Sequence, residues 1–183
     1  MPSVHLTDFD ESERADYLVV VASMIAAHGT VTSQDIFAVR ELCMRYVLGP
    51  TARGRVMAAM STPDREFEQI ISHLAGSALK HSLLLDLATM GCLHDGRLEE
   101  SEHTTLCHIS KLLGIDEPQR EAIIGLGRAL SRAATDVSVE TAIQAVNEAG
   151  VPTGAIGVAA SLHGLGSDHE PARELMTTIQ PKA

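Results

Sequence analysis

Apolar residues recur at helical spacing along almost the whole chain. Between Glu11 and His28, Leu18, Val21, Ala22 and Ile25 fall on one helix face. Gly29 ends that run, because glycine accepts the left-handed backbone that closes many helices. Thr32-Ser-Gln-Asp35 reads as a capping box with aspartate in place of glutamate, and it opens a second helix reaching Val47. Pro50 breaks the chain before a short helix over about Thr51 to Met60. Thr62-Pro63 supplies an N-cap and a first-turn proline for a fourth helix, which carries Phe67, Ile70, Ile71 and Leu74 and ends near Gly76.

Ser77 to His94 is the most apolar stretch, with leucines on most sides, as a helix buried between neighbours requires. Asp86 interrupts it and is expected to face solvent, since aspartate is rarely fully buried. A helix over about Glu99 to Leu113 ends at Gly114. Asp116 caps the next, which has Pro118 in its first turn, Ile123, Ile124, Leu126 and Leu130 inside, and reaches about Ala133. Beyond Ala133 the composition shifts. A capped helix over Ser138 to Glu148 is followed by a Gly150-Val-Pro152 break, the small-residue stretch "GAIGVAASLHGLG", and a weak final helix over Pro171 to Ile179. The pattern predicts an all-α helical bundle over residues 1–133 with a C-terminal helical extension over 134–183. Small-residue spacing such as Gly157 to Ser161 permits close helix contact, so the extension reads as the packing arm of a homo-oligomer, a docking segment, or an extra layer on the same domain.

Composition sharpens this picture. The 183 residues are 45% hydrophobic and 21% charged, a globular balance long enough for a proper core. Aromatic content is 3% with no tryptophan, so the core is built from Leu, Ile, Val, Ala and Met, which favours helices over sheet. A net charge of −10 offers no cationic footprint for nucleic acid. The acidic opening (Asp8, Asp10, Glu11, Glu13, Asp16) reads as a solvated helix start rather than a contact for a basic partner. Cys43, Cys92 and Cys107 form no CxxC motif and suit a reducing compartment. The N-terminus lacks the basic region of a signal peptide, and the apolar runs are too short to insert in a bilayer, so a cytoplasmic location is expected. The sequence has no GxSxG elbow, HExxH, P-loop or GxGxxG, which removes the positive case for an enzyme without excluding one.

The stretch "MGCLHDGRLEESEH", residues 90–103, holds the candidate chemistry. Asp95 and Glu102 suggest ion ligands, but also the turn and cap between two helices. An EF-hand is rejected, because its first and third ligand positions would be Gly91 and Leu93, which carry no side-chain oxygen. A softer set of Cys92, His94, His103 and Cys107 puts His103 and Cys107 on one helix face. Cys92 and His94 diverge by about 200° there, so both cysteines are expected in the core. Shifting the chain by 67 residues lays "AHGTVTSQDIFAVREL" on "HDGRLEESEHTTLCHI". Gly29 then meets Gly96, Val31 meets Leu98, Asp35 meets Glu102, Val39 meets Leu106 and Leu42 meets Ile109, as a duplicated helical hairpin would.

With these motifs, residues from about Asp16 to Ala133 resemble the TerB-like family, named for the tellurite-resistance protein TerB. The family also includes the N-terminal domain of a membrane-anchored J-domain cochaperone. The resemblance implies a pseudo-symmetric bundle of two hairpin halves whose paired acids bind a divalent metal ion. Here the ligand positions are Asp95 and Glu102 in the second repeat and Asp35 in the first, with His28 where the first repeat would carry aspartate. Such a mixed nitrogen and oxygen set suits zinc, manganese or iron better than calcium. The resemblance further implies a non-enzymatic interaction module or adaptor with protein partners, in a stress-related or membrane-associated assembly. The alternatives are a metal-dependent enzyme using the His28, Asp35, Asp95 and Glu102 cluster, and a purely structural subunit without an ion.

Overall fold

The computed structural model describes residues 9–27, 30–62, 66–91, 97–130 and 138–152. These residues form eight helices and no strand: α1 (Glu11–Ala27), α2 (Ser33–Arg45), α3 (Pro50–Ala59), α4 (Phe67–Leu74), α5 (Lys80–Gly91), α6 (Glu100–Leu112), α7 (Glu117–Leu130) and α8 (Val139–Glu148). The fold class is therefore all-α. Backbone contacts divide the chain at Ser77/Ala78 into two compact units, α1–α4 and α5–α8. In the first, α1 packs chiefly on α3, then on α4 and α2; in the second, α7 packs chiefly on α5, then on α8. The described part of the predicted extension, α8, thus joins the second unit through α7.

Local chemistry explains most helix starts. The Asp10 N–H donates to Glu13 Oε2 (3.3 Å) and the Glu13 N–H to Asp10 Oδ1 (2.8 Å), a reciprocal cap that uses two acids of the opening run. Asp16, from the same run, is not solvated: its side chain is buried and pairs with Arg55 Nη1 at 2.6 Å. Glu11 reaches across to α3, where its Oε1 accepts the Gly49 N–H (2.6 Å) at the N-cap, a carboxylate set at the positive end of a helix. Asp116 Oδ1 accepts the Gln119 N–H (2.9 Å) and opens α7 as predicted.

Three boundaries differ from the sequence reading. Helix α2 stops at Arg45, because Val47 turns to φ +54° and the Leu48 N–H closes back on the Cys43 carbonyl (3.0 Å). Helix α4 begins at Phe67, later than Thr62-Pro63, because the Ser61 and Thr62 N–H groups both bond the Ala58 carbonyl (3.0 and 3.1 Å), so Thr62 finishes α3 instead of capping α4. Helix α5 begins at Lys80, since Ser77 is spent on a turn to the Leu74 carbonyl (3.0 Å). Gly29, Pro63, the stretch 92–96 and everything beyond Pro152, including the Pro171–Ile179 helix, lie outside the described residues.

The 67-residue repeat runs through the helices. Ser33 and Glu100 start α2 and α6, Arg45 and Leu112 end them, and both helices have 13 residues. Pro50 and Glu117, also 67 apart, start α3 and α7. Core positions correspond as well: Tyr17 with Leu84, Val39 with Leu106, Tyr46 with Leu113, Leu48 with Ile115 and Val56 with Ile123 are all buried. Tyr17 and Tyr46 stack with ring centroids 5.4 Å apart, and leucines fill the equivalent positions of the second unit.

Helix α5 is buried on every described side from His81 to Thr89, and this corrects the expectation for Asp86. Its side chain is buried, as are His81, Ser82 and Thr89. A helix packed all round has no solvent face for a polar residue to occupy. Burial pushes the His81 imidazole below its ordinary value, and the neighbouring Lys80 ammonium adds to the effect.

Candidate functional site

Of the four predicted ion ligands, Asp35 and Glu102 are described, while His28 and Asp95 lie outside the described residues. Asp35 belongs to the first unit and Glu102 to the second. Each occupies the third position of its helix and does the same work there. The Thr32 N–H donates to Asp35 Oδ2 (2.8 Å), the Thr32 hydroxyl donates to the same oxygen (2.7 Å), and the Asp35 N–H returns to Thr32 Oγ1 (3.2 Å). These bonds from Thr32, the hydroxyl first, hold the Asp35 carboxyl below its ordinary range. The Glu99 N–H donates to Glu102 Oε2 (2.8 Å), so the second unit repeats the closure with a longer acid. Both acids satisfy backbone donors that a helix start leaves unpaired. Among the described residues no group of three or more His, Cys, Asp or Glu side chains is placed to hold a metal ion.

The softer set is likewise half described, with Cys92 and His94 outside. His103 and Cys107 do meet on α6: Sγ lies 3.7 Å from His103 Nδ1. Cys107 is not a core residue, which corrects that expectation; it is half-buried on the polar side of α6. His103 Nε2 approaches Glu121 Oε1 on α7 (3.9 Å), and Glu121 is held by Arg120 Nη2 (2.8 Å). Cys43, by contrast, is enclosed, and burial pushes its thiol up.

The feature that reading by motif missed is a surface. Large hydrophobic side chains exposed among the described residues all fall on α2 and its end: Ile36 (39%), Phe37 (65%), Met44 (60%) and Val47 (69%). The repeat supplies an internal control. At the equivalent positions of the second unit stand His103, Thr104, Lys111 and Gly114, all exposed. The corresponding helix is thus built with polar residues and glycine at these places. The signal was present in the 67-residue alignment, which places Phe37 on Thr104. It emerges only once the exposed positions of α2 are known.

Comparison of the chain with protein-family models, with curated proteins and with solved structures found no match. No helix among the described residues is long and apolar enough to cross a membrane.

Proposed function

We propose that this protein is a non-enzymatic interaction module of the TerB-like kind, an adaptor in a stress-related or membrane-associated assembly, with α2 as its contact face. The observation that carries the reading is the apolar set Ile36, Phe37, Met44 and Val47, exposed where the duplicated unit is polar. Large hydrophobic residues exposed together on one helix and its end mark contact sites. The helix order shared by the two units is what a TerB-like duplication would produce, and this supports the family part of the reading.

Site-specific photo-crosslinking in cells tests the contact face. A photoreactive residue at position 44 is expected to give a discrete protein adduct, and the same residue at position 111 of α6 none. Equal labelling at both positions, or none at 44, removes α2 as the contact face and the adaptor reading with it.

A further inference from the structure

The α2 face carries more information than its hydrophobicity. At 3.6 residues per turn, Phe37 and Met44 lie about 20° apart and define a stripe, with Arg40 about 50° to one side and Glu41 about 50° to the other. Both charged residues are exposed, and neither has an ion-pair partner among the described residues. An apolar stripe flanked by one cation and one anion is the pattern that sets partner and orientation in paired helices, where flanking charges bridge from one helix to the other.

Resting on the reading of α2 as a contact face, we infer that its partner is a second copy of this chain, packed so that the two α2 helices run parallel about a two-fold axis. In that arrangement Phe37 meets Phe37 and Met44 meets Met44, while the Arg40 flank of each copy faces the Glu41 flank of the other. An antiparallel pair would set Arg40 beside Arg40 and Glu41 beside Glu41, which disfavours that orientation. Ile36 lies on the Arg40 side and extends the apolar contact. Two-fold dimers with a self-complementary face are the commonest closed assemblies, and α6, the described counterpart of α2, is polar at the same positions.

The test is the mass of the full chain in solution, measured by sedimentation against concentration. The expected result is a rise from 19.5 kDa toward twice that value. The double substitution Phe37→Thr with Met44→Lys, which installs the α6 residues, should leave a folded monomer at every concentration. Arg40→Glu should weaken association about tenfold, the effect of turning two flanking attractions into repulsions. Combining it with Glu41→Arg should restore association, which a merely sticky surface would not do. A chain that stays monomeric, a dimer that survives Phe37→Thr with Met44→Lys, or charge reversals that fail to compensate would each overturn the inference. A monomeric chain that still gives a crosslink at position 44 to a different polypeptide overturns the second copy alone and leaves the contact face standing. No adduct at 44 overturns both.

Discussion

Val47 is expensive twice over. It is a β-branched residue held at φ +54°, the left-handed region that such side chains rarely adopt, and its side chain is 69% exposed. The same turn closes α6 and α8 with Gly114 at φ +65° and Gly150 at φ +72°, where no Cβ opposes the conformation. Val47→Gly should therefore raise stability by about 1 kcal/mol in denaturant unfolding. On the dimer reading it should also lower association, and a change that improves the fold while weakening contact is hard to attribute to damage. Asp35 makes a second prediction at this scale. Because the Thr32 bonds hold its folded-state carboxyl below the ordinary value of 3.8, ionised Asp35 stabilises the native state above that pH, and the contribution is lost as pH falls through the depressed folded value. Asp35→Asn should cost about 1 kcal/mol at neutral pH. Its unfolding curve should converge on that of the parent in strong acid; a gap that persists unchanged would show that the carboxylate charge is irrelevant to the cap.

At the scale of helices, α5 and α7 of the second unit approach closely at Gly127. A Cβ placed on Gly127 would come within 2.8 Å of the Ala88 Cβ and 3.0 Å of the Thr89 backbone nitrogen, so the two helices meet where glycine leaves room. Gly127→Ala should destabilise by about 1–3 kcal/mol through overpacking, despite alanine being the better helix former. Full stability in that variant would mean the helices part easily, contrary to the contact. This level of structure was the most legible in the sequence. The box at Thr32, the cap at Asp116 and the closing glycine at 114 have local chemistry that fixes an end by itself. The misreadings share one cause, dependence on neighbours. Thr62 carries a strong start signal yet completes α3, since its N–H meets the Ala58 carbonyl first. Asp86 looks like a solvent-facing gap until both sides of α5 are covered. Val47 gives no warning of its left-handed backbone, because nothing in its own chemistry favours that conformation. For the candidate site, the sequence correctly placed Asp35 and Glu102 in the first turns of two helices. Their role beyond capping depends on His28 and Asp95 and could not be read from spacing.

Across the described residues, the first three helices of each unit follow one plan with different surfaces, while the fourth packs on α1 in one unit and on α7 in the other. The interior positions correspond closely enough that a tyrosine pair in one unit is replaced by leucines in the other without a change of helix order. Interiors of this kind tolerate apolar exchange when volume and pattern are kept, so the two cores could diverge freely. The exposed positions are not under that constraint, and there α2 is apolar where α6 is polar. If the apolar face serves contact alone, the two properties should separate in one experiment. A chain carrying Ile36→His, Phe37→Thr, Met44→Lys and Val47→Gly together takes the α6 surface onto α2 and touches no buried side chain. Its circular dichroism should match the parent and, compared at concentrations where both chains are monomeric, its thermal midpoint should be no lower, because exposed hydrophobic contacts add little to the monomer and the Val47 strain is relieved. Its association and its crosslinking through α2 should vanish. A resurfaced chain that melts substantially earlier would show instead that this face supports the fold, and that its hydrophobicity answers to packing rather than to a partner.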